Sequence, residues 1–171
     1  FGLIGSGLAV LGLVMPRLAR GMVAKHSPAY NLGIMGGLTF IGLVAMTFFW
    51  PIIGLLPLII LVAVMYLENF FQSHYLNRIT DSYQRATVLS FKGLSFNLAY
   101  GLIGVLYSML LAYLSIGIST NRPDISDIQL ENLVFIKSIA WFPGYFLLTM
   151  GAVLVFARWQ LRNTDEYKIP G

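Results

Sequence analysis

NLGIMGGLTFIGLVAMTFFWPIIGLLPLIILVAVMYL, residues 31–67, carries no charged side chain along its whole length. About 20 apolar residues are enough to cross the hydrocarbon core of a bilayer. A run this long must therefore cross, reverse and cross back. The residues Trp50-Pro51-Ile52-Ile53-Gly54 supply the reversal. Proline and glycine interrupt helices, and tryptophan suits the membrane–water interface. The stretch predicts a tight helical hairpin, and with it an all-α, polytopic transmembrane helix bundle.

Composition extends that reading to the whole chain. Of its 171 residues, 57% are hydrophobic and 11% charged, and the mean hydropathy is +0.76. A soluble domain carries about 25% charged residues, so the polar groups here are too few to cover a soluble globule. Nothing shows the alternating pattern of a membrane β-barrel. The absence of cysteine excludes a disulfide framework and a thiolate metal site. His26 and His74 lack a second ligand at i+3 or i+4, so no metal or cofactor is expected. No basic patch interleaved with aromatics points to nucleic acid. GxSxG, HExxH and GxxxxGK[ST] patterns are missing, so no enzyme is expected.

Five apolar segments emerge: 1–16, ending at Pro16, then 30–50, 55–76, 86–118 and 133–157, with no soluble domain. The first is short, and FGLIGSGLAVLG opens without Met, a basic leader or a cleavage pattern. The expectation is a chain cut from a longer protein.

Lysine and arginine placement orients the segments. Arg17, Arg20 and Lys25 follow the first, Arg78, Arg85 and Lys92 surround the third loop, and Arg158, Arg162 and Lys168 close the chain. The hairpin turn has none, and the loop after the fourth segment sets Arg122 against Asp124, Asp127 and Glu131. Basic loops thus alternate with neutral or acidic ones. The positive-inside rule places the basic loops and the C-terminus in the cytoplasm, for an integral multi-pass protein of the plasma (inner) membrane.

Polar residues inside the segments are the candidates for function. Glu68 is the only acidic residue within the five segments, roughly two turns before the cytoplasmic end of the third. An intramembrane carboxylate normally faces the bundle interior and has a partner. Arg17, Arg20 and Arg85 are candidate partners, forming a cytoplasmic latch. A protonatable coupling site is the alternative. Asn69 and Gln72 stand beside Glu68, Gln72 at i+4 on the same face. On the fourth segment Lys92, Ser95, Asn97 and Tyr100 form either a polar stripe along a cavity or ordinary contacts to neighbouring helices. Asp81 followed by Gln84 reads as a capping box that opens the fourth helix, with Arg85 either a headgroup anchor or part of the latch. Gly33 and Gly37 make a GxxxG, and Gly101 and Gly104 sit one turn apart, a pattern of close helix packing.

Two motifs resemble those of the major facilitator superfamily. Gly12-Leu-Val-Met-Pro16-Arg17-Leu-Ala-Arg20 is similar to the weak second copy of the family's G-x-x-x-D-R-x-G-R loop, with Pro16 in place of the aspartate and Ala19 in place of the second glycine. LNRITDSYQRATVLSF resembles the loop and helix start before the family's helix eleven, Arg85, Ala86 and Ser90 taking the motif positions. The resemblance implies helices eight to twelve of twelve, a partial fold of about five helices whose partner is the missing N-terminal half of the same chain. It further implies a secondary active transporter, permease or efflux protein, moving a small-molecule solute by alternating access with H+ or Na+ as candidate coupling ion. Glu68, Asn69, Gln72, Asn97 and Tyr100 become the cavity or gate candidates. The alternatives are the membrane domain of an ATP-driven transporter and a non-transporting membrane scaffold. A lipid enzyme would need an interfacial cluster of acids or histidines, and the sequence offers only Glu68 and scattered His.

Overall fold

The computed structural model describes residues 2–50 and 52–165, and it is all helical. Six helices follow in order: α1 (Gly2–Lys25), α2 (Pro28–Met46), α3 (Leu55–Ile79), α4 (Arg85–Asn121), α5 (Asp127–Ile139) and α6 (Phe142–Asp165). With α5 and α6 counted as one interrupted span, five helical spans are long and apolar enough to cross a membrane. They suggest an integral, multi-pass membrane protein.

The helices overrun the apolar segments. Helix α1 does not stop at Pro16 but passes through it to Lys25. A proline frees one carbonyl, here that of Gly12, and bends a helix rather than ending it when neighbours hold both halves. Here α3 holds them: Tyr66 lies 3.7 Å from where a Cβ on Gly12 would stand, and Ala19 is fully buried beyond the proline. Arg17 and Arg20 are therefore helical, not loop, residues.

The capping box at Asp81 does not form. Helix α4 begins at Arg85, with Gln84 as its N-cap residue and no side-chain cap. Residues 82–84 form a turn in which the Gln84 N–H donates to the Asp81 carbonyl at 3.0 Å. Tyr83 and Gln84 hydrogen-bond each other's side chains instead. The cap that does form is Ser27, which accepts from the Tyr30 N–H, with Pro28 at the helix start.

The hairpin between α2 and α3 is present, though Pro51 lies outside the described residues. Helix α2 ends at Met46, and the chain turns through Phe49, whose φ of 45° is left-handed. That conformation costs a residue with a Cβ about 1–2 kcal/mol. Aromatic contacts offset it: Phe48 stacks on Trp50, and Phe49 meets the edge of Phe135 on α5. A short 3-10 turn, Ile52–Gly54, then leads into α3.

The 133–157 segment is broken in two at Ala140-Trp141. Pro143 has no N–H for the Ile139 carbonyl, and its ring crowds that oxygen. The Trp141 N–H turns back to the Ser138 carbonyl at 3.1 Å, and α6 restarts with the Tyr145 N–H on the Trp141 carbonyl.

The core lies among α1, α2 and α3: Ala19, Met35, Val64, Leu67 and Phe71, flanked by Met15, Met22 and Ile60. Helix α3 packs on both α1 and α2, α4 packs on α5, and α6 packs on α2. Helices α4 and α6 are sparsely covered: Ile118 is the one buried residue of α4, and no described residue of α6 is buried.

Close helix approach uses other glycines than the GxxxG pair. A Cβ on Gly33 or Gly37 would meet nothing within 4 Å. At Gly42 it would lie 2.8 Å from Leu61 Cδ2, and at Gly36 3.1 Å from Met150 Cε. Gly42 sets the α2–α3 crossing and Gly36 the α2–α6 contact.

Candidate functional site

Four contacts define the sectors of α3. Leu61 meets α2 at Gly42, Tyr75 meets α2 at Asn31, Tyr66 meets α1 at Gly12, and Ser73 meets α4 at Lys92. At about 100° per residue, Met65, Asn69 and Gln72 fall on the arc between the α2 and α4 sectors. All three are exposed, so this arc is a bare strip of α3.

Glu68 sits at the edge of that strip. It lies midway between Leu61 and Tyr75, whose α2 partners are Gly42 and Asn31. At that level of α2, Gly36 faces Met150 of α6 and a Cβ on Gly37 would meet nothing within 4 Å. Glu68 is exposed in a helix whose neighbouring Leu67 is buried.

The α4 candidates lie at a matching height. Lys92 Nζ donates to Ser73 Oγ at 3.4 Å and ties the two antiparallel helices together at their basic ends. Glu68 is five residues from that tie along α3, and Asn97 is five along α4; Met65 and Tyr100 are each eight away. Equal residue counts mean equal rise. Asn97 and Tyr100 are exposed, Tyr100 at 82%. No described contact joins them to Glu68: the structure sets Asn97 level with Glu68 and Tyr100 about one turn beyond it, without closing the five candidates into a pocket.

The arginines stand apart. The packed face of α1 runs through Gly12, Met15, Ala19 and Met22, and helical rotation turns Arg17 to the opposite side. Arg20 is also exposed, and Arg85 is the exposed first residue of α4. Among the described residues no ion pair links Glu68 to Arg17, Arg20 or Arg85.

Two buried polar pairs were not singled out from the sequence. Asn31, 1% exposed, donates from Nδ2 to the Tyr75 hydroxyl at 3.0 Å, and its Oδ1 accepts nothing. Ser138, fully buried, shares a 3.1 Å hydrogen bond with the Tyr107 hydroxyl and donates to the Phe135 carbonyl. The first pair joins α2 to α3, the second α4 to α5. The signal for Asn31 was its place as the one carboxamide in the uncharged run. Ser138 carried no comparable mark.

Three cavities lie near the α4–α5 end, one of them, of about 380 Å³, along Ala140, Trp141, Gly144, Tyr145 and Leu148. Another, of about 670 Å³, is formed by the loop between α4 and α5 and the first turns of α5, with Arg122, Asp124, Gln129 and Asn132 beside Pro123, Ile125 and Leu133. The third, of about 270 Å³, is apolar and lies between α4 and the start of α6. No group of three or more His, Asp or Glu side chains among the described residues could hold a metal ion.

No protein-family model matches the chain, and comparison with curated proteins and with solved structures finds no match.

Proposed function

We propose that the chain is part of the C-terminal half of a secondary transporter of the major facilitator type, its spans corresponding to helices eight to twelve. The observation that carries this reading is Glu68, an acid on a membrane-crossing helix, exposed beside Asn69 and Gln72 and level with Asn97. A carboxylate at the centre of a bilayer costs about 2.5–3.5 kcal/mol on insertion scales, and off-centre less. Such a residue is retained where it lines a water-filled path or meets a partner. The bare arc of α3 and the uncovered length of α4 are where a second helical bundle would pack, with the amides and the tyrosine facing a shared cavity.

The charge pattern supports the orientation. Helix order puts Arg17, Arg20, Lys25, Arg78, Arg85, Arg158 and Arg162 toward one side, and Asp124, Asp127 and Glu131 toward the other. The basic side is then cytoplasmic. In the cytoplasm-closed state, rocking of the two halves brings Arg85 or an arginine of α1 toward Glu68. In the other state that contact is open. A small solute, with H+ or Na+ as driving ion, crosses between them.

Uptake into vesicles by the complete protein tests the reading. Glu68→Gln is expected to lower uptake at least tenfold, while Lys137→Gln leaves it within twofold. Near-native uptake by both variants would remove Glu68 from the pathway. A complete protein that moves no solute under any ion gradient would leave a scaffold role as the better reading.

A further inference from the structure

Pro143 does more than interrupt a helix. Up to the break, α5 runs along α4 and covers Leu111, Leu114 and Ile118 in part or fully. Past the break, α6 leaves α4 and packs on α2, where Met150 reaches Gly36. The two helices diverge from the Tyr107–Ser138 hydrogen bond like the arms of a wedge. Inside it lies the 270 Å³ cavity, lined on α4 by Ile103, Leu106, Tyr107 and Leu110 and on the other arm by Trp141, Phe142 and Tyr145. The α4 residues are spaced i, i+3, i+4 and i+7, one face of a helix. That face continues the α4–α5 interface but has lost its covering helix.

We propose that this wedge holds the hydrocarbon chain of a bilayer lipid. Three observations identify the occupant. No charged residue lines the cavity; its polar groups are the Trp141 indole N–H and the hydroxyls of Tyr107 and Tyr145, and Tyr107 is already bonded to Ser138 with its ring stacked on Phe142. No charge remains to hold an ionic ligand. The depth is right: residues 138–157, between Lys137 and Arg158, carry no charge. They span about 30 Å, the thickness of the hydrocarbon. Trp141 to Tyr145 lie about 6–12 Å inside Lys137 on that scale, within the leaflet of the acidic side. The mouth faces outward, with Trp141 54% and Leu106 44% exposed. The inference rests on the multi-pass membrane reading and not on transport.

Native mass spectrometry of the full chain in detergent tests it. The expected result is one lipid retained per chain after delipidation. Leu106→Trp and Ile103→Trp, which fill the wedge, should each lose it, while Leu98→Trp, outside the wedge on the exposed part of α4, should keep it. In a second measurement, with Trp50 and Trp159 replaced by Phe, lipid brominated on its chain should quench Trp141 saturably at about one lipid per protein. No retained lipid, equal retention by the wedge-filling variants, or quenching that rises without saturation would overturn the proposal.

Discussion

At Gly42 the α2 backbone lies directly against the Leu61 side chain of α3. A larger residue there must push Leu61 aside or part the helices, because a Cβ would already stand 2.8 Å from Leu61 Cδ2 and 3.0 Å from its Cγ. Overpacking of this kind costs about 1–3 kcal/mol. Gly42→Val is expected to lower thermal stability in detergent by that amount, while Gly33→Ala and Gly37→Ala leave it unchanged or slightly raised. Equal loss from all three would mean that the GxxxG pair, not Gly42, sets the crossing. The spacing of Gly33 and Gly37 was legible as a shared helix face. It did not say that this face meets no helix. Asn31 shows the same limit. Its burial depends on Tyr75, 44 residues away. Tyr75→Phe leaves both ends of the Asn31 amide without a side-chain partner, and a buried unsatisfied group costs about 1–3 kcal/mol. Tyr75→Phe should therefore destabilise, and adding Asn31→Leu should recover most of the loss in the same melting experiment.

At the scale of elements, three prolines behave in three ways. Pro28 starts α2, where its missing N–H is harmless. Pro16 sits inside α1 without ending it, since the turns on either side are packed on α3. Pro143 lies at the start of α6 and redirects the chain, because beyond it the helix finds better packing on α2 than on α4. Each proline lacks an N–H, which costs a helical hydrogen bond at Pro16 and Pro143 but not at the helix start of Pro28. Whether the helix stops, bends or restarts depends on what each half touches. Pro143→Ala restores an N–H for the Ile139 carbonyl and should let α5 and α6 join into one straight helix. In this cysteine-free chain, cysteines placed at Gly36 and Met150 should cross-link through a short bifunctional thiol reagent. Pro143→Ala should reduce that cross-linking at least several-fold. Unchanged cross-linking would show that packing on α2, not the proline, holds the bend.

At the scale of the molecule, the spans leave most of their surface bare, and large apolar side chains such as Leu98, Met109 and Leu148 are exposed. A soluble protein would not tolerate that; a bilayer supplies the covering. The absence of cysteine makes the topology directly measurable. Ser82→Cys and Asp124→Cys should react with a membrane-impermeant thiol reagent from opposite sides of a sealed vesicle, Ser82→Cys from the cytoplasmic side. Labelling of both from one side would overturn the five-span arrangement; labelling from reversed sides would overturn only the orientation.

Segments of about 20 uncharged residues, a reversal near Trp50 and alternating basic and acidic loops are local facts, and the sequence by itself determined them. The physical reason is that hydrocarbon accepts only backbone that satisfies its own hydrogen bonds, so each apolar run has one solution, a helix. The candidates of the bare α3 strip were legible too, because an acid or amide within a long apolar run needs no partner to be noticed. What only the tertiary structure decided is which faces meet: Gly42 rather than the GxxxG pair, Arg17 turned away from α3, α6 on α2 instead of α4, and the wedge that follows. Helix-on-helix packing within a membrane is a competition among similar apolar faces. Small differences in shape and in single hydrogen bonds such as Asn31–Tyr75 and Tyr107–Ser138 settle it.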